Sequence, residues 1–259
     1  MDLNFKGQRV VITGGSRGIG LAVAMRFARE GALPVLVSRS PESLASAAAA
    51  IAQNSGVTAE THALDLSVPE GIGKLMALVG QIDILVNNAG AIPGGSLADV
   101  GDEKWRNAWE LKLFGYINLV RAVLPTMERR GSGVICNIIG MAGAVPRAEY
   151  LCGSTANAAL MAFTHALGAT SPRAGIRVFG INPSPTRSDR METMMRAQAV
   201  RKLGDENRWM ELTKGLPFGR LMEPTEVADL TVFGCSPLAG YLSGTVINLD
   251  GGQAYASPA

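Results

Sequence analysis

Short apolar segments alternate with helix-forming stretches along almost the whole chain, and this alternation restricts the fold more than any other feature of the sequence. Strands are expected at 9–13, 32–38, 58–64, 82–86, 133–139, 176–181 and 244–249. Strands that are apolar throughout are typical of a parallel sheet that helices cover on both faces. The alternation therefore predicts a doubly wound, Rossmann-like α/β fold.

The segments between the strands have the composition of helices, which are expected at 19–30, from Ser40 onwards, after Ser67, and at 102–127, 154–170 and 224–233. Ser67-Val68-Pro69-Glu70 has the spacing of a capping box. Pro125 is expected to end or kink the long helix. The stretch 183–218, rich in Met, Arg and Pro, interrupts the alternation of strands and helices. No segment of the chain has the composition of a linker between domains. We therefore expect a single domain, 1–259.

Composition and charge exclude several classes of protein. Hydrophobic residues make up 47% of the 259 residues, which is too many for a disordered chain. The 24 basic and 22 acidic residues are spread along the chain, without the basic block that a nucleic-acid partner needs. The N-terminal MDLNFKGQRV does not resemble a signal peptide, and no apolar run is long enough to cross a membrane. We therefore expect a cytoplasmic protein.

Cysteines and histidines give no sign of a disulfide framework or a metal site. Cys136, Cys152 and Cys235 form no close pair in the sequence. His62 and His165 fall in a strand and in a helix, without the spacing of metal ligands. We expect neither disulfide bonds nor a bound metal.

A glycine-rich turn follows the first strand. Thr13-Gly14-Gly15-Ser16-Arg17-Gly18-Ile19-Gly20 lies where a strand is expected to become a helix. Glycines there let the backbone approach a pyrophosphate, and the first turn of the helix offers unpaired N–H groups and the positive end of its dipole. The turn therefore predicts a dinucleotide site that includes Thr13, Gly14, Ser16, Arg17, Gly18, Ile19 and Gly20.

Together with this turn, three further motifs make the sequence resemble the short-chain dehydrogenase/reductase family over nearly its whole length. Asp65-Leu66 is similar to the position that contacts adenine, Asn87-Asn88-Ala89-Gly90 to a motif at a strand end, and Asp250-Gly251-Gly252 to the C-terminal signature. The resemblance implies that the cofactor contacts Asp65, Leu66, Asn88, Ala89, Gly90, Asn157 and Pro183. It also implies a small-molecule substrate and a homo-oligomer, either a tetramer or a dimer.

The end of the second strand bears on the choice of dinucleotide. An enzyme that uses NAD(H) usually places Asp or Glu there to bind the ribose diol, whereas this chain has Val37-Ser38-Arg39. Ser38 leaves room for a 2′-phosphate, and Arg39 and Arg17 offer it positive charge. We therefore expect NADP(H) rather than NAD(H). Two solvated surface arginines are the alternative interpretation of the same residues.

The resemblance also implies a catalytic set, and the corresponding positions differ here. The family uses Tyr as acid or base, Lys to lower its pKa and hold the nicotinamide ribose, Ser to orient the substrate oxygen, and Asn to support a proton-relay water. By alignment, Gly153 stands for Tyr, Asn157 for Lys, Gly140 for Ser and Lys112 for Asn. Ser184 also stands where Gly is typical beside the nicotinamide. The usual mechanism therefore cannot be transferred to this chain.

Other side chains are candidates for the catalytic roles. A partly desolvated Lys112 would have a lowered pKa and would be the first candidate for a proton donor, with Tyr150 as the second. Ser154 and Asn157 lie one helical turn apart and could hydrogen-bond a substrate or ribose. Alternatively, Lys112 is a solvated helix lysine, Tyr150 packs at the helix entry, and Ser154 and Asn157 only satisfy helix ends.

Three functions are compatible with these residues. The first is an atypical NADP(H)-dependent oxidoreductase that acts on a carbonyl or alcohol substrate with a proton donor foreign to the family. The second is a redox-silent dinucleotide sensor or non-catalytic subunit, and the third is a lyase or isomerase. The stretch 183–218 is expected to form a substrate lid, or else a subunit contact, with Arg187, Asp189, Arg190, Met191, Met194, Met195 and Trp209.

Overall fold

The computed structural model describes residues 2–256 of the chain. Its strands are β1 (Arg9–Thr13), β2 (Leu33–Ser38), β3 (Glu60–Ala63), β4 (Ile84–Asn87), β5 (Gly133–Ile138), β6 (Ile176–Pro183) and β7 (Val246–Leu249). They form one parallel sheet in the order β3-β2-β1-β4-β5-β6-β7. The strand order reverses between β1 and β4, which opens a crevice at their carboxyl ends. The predicted doubly wound α/β fold is confirmed.

Helices connect the strands on both sides of the sheet. They are α1 (Gly18–Arg29), α2 (Pro41–Ser55), α3 (Pro69–Leu78), α4 (Asp102–Trp109), α5 (Gly115–Arg130), α6 (Leu151–Thr170), α7 (Asp189–Leu203) and α8 (Pro224–Cys235). Local sequence explains the bounds of α2 well. The Ser40 hydroxyl accepts a hydrogen bond from the Ser43 N–H, and Gly56 ends the helix in the left-handed conformation.

Alternate residues of a strand pack on opposite faces of the sheet. Val10 and Ile12 of β1 belong to the core beneath α1, α2 and α8, together with Phe27 and Val232. Val11 belongs to the core beneath α3, α5 and α6. Because both faces are covered, consecutive positions in the middle of the central strands are apolar, as in residues 10–12 and 84–86, which is the pattern that predicted the parallel sheet.

The expected capping box at Ser67 is wrong. The residue that precedes α3 is Val68, and no side chain caps that helix. The Ser67 hydroxyl and N–H instead donate to the Asp65 carboxylate at 2.7 and 2.9 Å. Ser67 therefore holds Asp65 in place rather than starting the helix.

Pro125 does not end the helix, since α5 continues to Arg130 with Pro125 inside it. Pro125 is exposed, so water can satisfy the backbone carbonyl that proline leaves without a partner. The long helix predicted at 102–127 is interrupted elsewhere. Between α4 and α5 lies a π-helical segment, Glu110–Phe114, which contains Lys112.

The stretch 183–218 is more regular than its composition suggested. Ser188 caps α7 by accepting a hydrogen bond from the Met191 N–H, and a 3₁₀-helical segment, Glu206–Gly215, follows. Met195 and Trp209 pack together in a small core of their own. The methionines of this region therefore largely serve packing.

Two cysteines that are distant in sequence meet in the core. Cys136 of β5 lies near Cys235 at the end of α8, and burial raises the pKa of the Cys136 thiol. All three cysteines are free. Among residues 2–256, no helix is long and apolar enough to cross a bilayer, and no group of side chains is suited to hold a metal ion.

Arg177 joins the start of β6 to the end of α8. Its guanidinium donates to the backbone carbonyls of residues 234, 235, 236, 239 and 242 at 2.7 to 3.3 Å. The last carbonyls of a helix have no partner within the helix. Arg177 therefore supplies hydrogen-bond donors to the backbone carbonyls at the end of α8 and in the segment that follows it.

We predict that Arg177→Met lowers the free energy of unfolding by about 3 kcal/mol, because several carbonyls lose a charged donor at once. Equilibrium denaturation in urea measures this change. Arg173→Met, at an exposed site just before β6, is the matched control and should shift the free energy by less than about 0.5 kcal/mol. Equal losses in the two variants would contradict the assigned role.

Candidate active site

The glycine-rich turn connects the carboxyl end of β1 to α1. Gly14 and Gly18 adopt φ values of 65° and 55°, which other residues rarely reach. A Cβ at Gly20 would lie 2.2 Å from the carbonyl oxygen of Gly14, so the turn closes directly on the helix. Arg17 precedes α1 without capping it through its side chain. The first N–H groups of α1 are thus left for another acceptor.

Hydrogen bonds join this turn to the segment after β4. The Thr13 hydroxyl oxygen accepts from the N–H groups of Asn88 and Ala89, each at 2.9 Å. The Asn88 side-chain amide donates to the carbonyl oxygen of Thr13 at 3.0 Å. The two loops that border the crevice are therefore held as one unit.

A groove of about 390 Å³ runs along these loops. Most of the predicted cofactor residues line it, namely Gly14, Ser16, Arg17, Gly18, Ile19, Ser38, Arg39, Leu66, Asn88, Ala89 and Gly90. Thr13 and Gly20 are buried and shape the turn, whereas Asp65, Asn157 and Pro183 do not line the groove. A larger hollow of about 690 Å³, at the amino ends of the strands, holds none of the predicted site residues.

The end of the groove beside β2 is positively charged. The hydroxyls of Ser16 and Ser38 lie 3.0 Å apart, next to Arg17 and Arg39. Both arginines are exposed, and neither forms an ion pair within residues 2–256. Burial raises the pKa of the nearby Asp65, but hydrogen bonds from Ser67 and the charge of Arg39 outweigh this effect and lower it.

Lys112 is buried in the π-helical segment, behind the groove-lining Gly90, and does not itself line the groove. Its Nζ donates to the Tyr116 hydroxyl at 3.0 Å and to the Ile138 carbonyl at 2.7 Å. Its stem packs against Gly90, where a Cβ would lie 2.8 Å from Lys112 Cδ. Burial, with a smaller contribution from the charge of Arg190, lowers the pKa of Lys112 to about 7. The alternative of a solvated lysine is therefore wrong.

Gly140 and Asn157 face each other between β5 and α6. Gly140 has a φ of 139°, and a Cβ there would lie 2.9 Å from Nδ2 of Asn157. The Asn157 side chain is buried, and its Oδ1 has no hydrogen-bond partner among the described residues. A buried acceptor without a partner is costly unless a ligand or water satisfies it. Asn157 therefore offers an acceptor to a ligand.

The ring of Tyr150 occupies the space that a side chain at Gly153 would need. A Cβ at Gly153 would lie only 1.9 Å from Cε1 of Tyr150. Burial raises the pKa of the Tyr150 phenol, and the positive charge of the nearby Arg190 opposes this effect. Tyr150 is the residue just before α6, and its phenol ring lies beside Gly153 of that helix.

Two of the predicted site residues serve the backbone around the site. The Ser154 hydroxyl accepts from the Arg147 N–H at 3.0 Å, which holds the loop before α6. Pro183 ends β6, and the next residue, Ser184, donates its N–H to the carbonyl of Leu249 at 3.0 Å. The side chains of Ser154 and Pro183 do not line the groove.

Arg190 is a site residue that no motif along the chain points to. It lies in the first turn of α7, lines the groove, and donates to the backbone carbonyls of Gly90 and Ile92. Its only signal in the sequence was its place in the expected lid. Its proximity to Lys112 and Tyr150 depends on how α7 packs over the loop that follows β4.

We predict that Gly153→Ala lowers the free energy of unfolding by about 1–3 kcal/mol, because the added methyl group overlaps the Tyr150 ring. Urea denaturation measures the change. In a Tyr150→Ala background the same substitution should cost less than about 0.5 kcal/mol, since the obstacle is gone and alanine favours helix. Equal costs in both backgrounds would show that Tyr150 does not occupy this space.

The chain matches the family model described as short chain dehydrogenase over residues 8–199. A putative ketoacyl reductase of Streptomyces coelicolor is 33% identical over 257 residues, which cover 93% of this chain and 95% of that protein. A crystal structure of L-sorbose reductase from Gluconobacter frateurii, complexed with NADPH and L-sorbose, shares 33% identity. It superimposes with a TM-score of 0.91 over 99% of this chain and 100% of that one.

A second solved structure, of an actinorhodin polyketide ketoreductase with NADPH, also superimposes with a TM-score of 0.91. It is 28% identical, and the match covers 96% of this chain and 98% of that one. Of the hypotheses drawn from the sequence, these comparisons support that of an oxidoreductase. The family match spans most of the chain, and the relatives align from end to end. The chain therefore belongs to the short-chain dehydrogenase family and is an oxidoreductase of that kind.

Proposed function

We propose that this protein is an NADP(H)-dependent oxidoreductase that interconverts a carbonyl compound and an alcohol, with Lys112 as the proton donor in place of the family's tyrosine. The observation that carries the proposal is the buried Lys112 ammonium beside Gly90 in the groove wall. Its pKa of about 7 suits proton transfer near neutral pH. The NADPH complexes of the similar reductases support the choice of cofactor.

The groove fits a dinucleotide at its phosphate-binding part. Gly20 lacks the side chain that would separate the turn from the helix, and the N-terminus of α1 has no side-chain cap. Both features favour a pyrophosphate at that helix end. Arg17 and Arg39 are free to pair with a 2′-phosphate, and the hydroxyls of Ser16 and Ser38 offer further hydrogen bonds. NADP(H) therefore suits the groove better than NAD(H).

The reactive end would hold the nicotinamide ribose against α6. Asn157 Oδ1, which has no partner among residues 2–256, would accept a hydrogen bond from a ribose hydroxyl. When bound, NADPH supplies the hydride for the carbonyl carbon. Asn157 thereby takes over part of the binding role of the family's lysine, without the charge that would lower the pKa of a neighbouring tyrosine.

The proton would come from Lys112. Reduction of a carbonyl places charge on its oxygen, which must be stabilised and protonated. Lys112 is about half protonated at neutral pH, since its pKa lies near 7. Tyr150 keeps its proton because burial raises its pKa, so its hydroxyl would donate a hydrogen bond to the same oxygen. We assign proton transfer to Lys112 and orientation of the substrate to Tyr150.

The stretch 183–218 would act as the lid over this site. Its first part lines the groove with residues 186–190, while the rest packs in its own small core. An ion pair between Arg187 and Glu223, at 2.7 Å, joins the lid to the start of α8. Its own small core would let the lid move as one body over a bound substrate, while this ion pair restrains it at α8.

A homo-oligomer forms part of the proposal. The aromatic side chains of Phe218, Tyr241 and Tyr255 are more than four-fifths exposed. Exposed aromatic residues favour contacts with a further protein surface. A second copy of this chain is the partner that the resemblance to the family implies.

We predict that Lys112→Met lowers kcat for reduction of a carbonyl substrate by about a hundredfold or more, because the proton donor is lost. In the unaltered protein, kcat should fall as the pH rises through 7, since Lys112 then loses its proton. The variant should lack this limb of the profile. Steady-state NADPH oxidation between pH 5.5 and 9 measures both effects, and the exposed Lys104→Met is the control.

Unchanged turnover and pH dependence in Lys112→Met would remove Lys112 from the proton-donor role. If the unaltered protein binds NADPH but transfers no deuteride from labelled cofactor to any carbonyl compound, the redox-silent hypothesis takes its place. Product formation without cofactor consumption would instead identify a lyase or isomerase.

We predict that Arg39→Met raises the Kd for NADPH about tenfold and leaves the Kd for NADH unchanged, because only NADPH carries the 2′-phosphate. Fluorescence titration with each nucleotide measures the two constants. Arg29→Met, at an exposed site at the other end of α1, is the matched control. Equal weakening of both nucleotides would contradict a 2′-phosphate site at Arg39.

A further inference from the structure

We propose that the substrate of this site carries a carboxylate group close to its reacting carbonyl, and that Arg190 binds this carboxylate. The inference deepens the proposed carbonyl reduction and rests on it for the reaction, whereas the anion site itself is independent of redox activity. Nothing in the comparisons assigns a role to Arg190.

Arg190 is held in the groove by groups that orient it without neutralising it. Its guanidinium donates to the backbone carbonyls of Gly90 and Ile92, and its charge acts on the nearby phenol of Tyr150. No carboxylate forms an ion pair with it in the described part of the chain. A guanidinium has five N–H donors, so these contacts leave donors for a ligand.

The other charges along the groove already have partners or an assigned use. Arg187 is paired with Glu223. Arg17 and Arg39 lie beside Ser16 and Ser38, at the end suited to the 2′-phosphate. Arg190 is the one remaining arginine among the groove-lining residues, and it lies at the reactive end.

A second cation lies close to Arg190, and no acid compensates the pair. The positive charge of Arg190 helps to lower the pKa of the buried Lys112. Among the described residues, the Lys112 ammonium hydrogen-bonds only neutral groups, the Tyr116 hydroxyl and the Ile138 carbonyl. Asp189 is the one acidic side chain among the residues that line the groove, and it is exposed. An anionic group on the substrate would supply the missing negative charge.

The chemistry of Arg190 favours a carboxylate in particular. A planar guanidinium binds a carboxylate through two parallel hydrogen bonds, which also orient the ligand. The Tyr150 phenol lies near enough to Arg190 to be affected by its charge, and in this proposal its hydroxyl donates to an oxygen a few bonds from that carboxylate. A short oxo acid would therefore bind Arg190 through its carboxylate and Tyr150 through its carbonyl oxygen. A neutral ketone would bind only Tyr150.

The test compares short oxo acids with their methyl esters on the NADPH-loaded protein. The probes are pyruvate, acetoacetate and 4-oxopentanoate, in which the carboxylate lies at increasing distance from the carbonyl. Calorimetry measures binding, and NADPH oxidation measures turnover. We expect at least one acid to bind about tenfold or more tightly than its ester, which corresponds to a charge-assisted hydrogen-bonded pair.

Arg190→Met should abolish the preference for the acid, and Arg190→Lys should retain part of it, while the Kd for NADPH changes less than about twofold. The control is Arg196→Met, which lies on the same helix, is paired with Glu192 and does not line the groove. It should keep the preference. Equal binding of acids and esters, or a preference that survives in Arg190→Met, overturns the proposal.

A tenfold loss of NADPH affinity in Arg190→Met, without a change in acid preference, would also overturn the proposal by assigning Arg190 to the cofactor. The failures of the two proposals can be told apart. Acids that bind through Arg190 without being reduced would support the anion site and contradict the carbonyl reductase. Reduction of acids and esters at equal rates would support the reductase and contradict the anion site.

Discussion

The hydrogen bonds between Thr13 and the segment after β4 determine the geometry on which the rest of the site depends. One hydroxyl oxygen accepts the N–H groups of both Asn88 and Ala89, and the Asn88 side chain returns a bond to the Thr13 carbonyl. These contacts bridge the point where the strand order reverses. They set the position of Gly90 relative to the glycine-rich turn, and Gly90 in turn borders the stem of Lys112.

Two glycines at the reactive end make room for larger side chains from elsewhere in the chain. The space at Gly153 is filled by the ring of Tyr150, and the space at Gly90 by the stem of Lys112. Each glycine and the large side chain that fills its space therefore depend on each other: Gly153 on Tyr150, and Gly90 on Lys112. This coupling explains why substituting the family's residues one at a time would meet steric resistance, above all at Gly153, where the ring already lies.

Local patterns predicted the elements whose causes are local. The apolar strands, the capped and glycine-terminated α2, and the turn from Thr13 to Gly20 all depend on neighbouring residues. The predictions failed where side-chain partners and packing, rather than spacing, decided the outcome. Ser67 binds the neighbouring Asp65 instead of capping α3, and Met195 packs against Trp209 in a helix that composition did not reveal. Pro125 lies at an exposed position inside α5, and the helix continues through it.

The amino-acid sequence by itself determined the doubly wound fold and the glycine-rich turn, because each follows from short, contiguous motifs. Only the tertiary structure decided how Lys112, Tyr150 and Gly153 pack. Lys112 lies 77 residues before the start of α7, and no pattern along the chain predicts that the charge of Arg190 acts on it. Burial and charge at close range, which set the pKa of Lys112 and the place of Tyr150, arise only when these distant segments pack together.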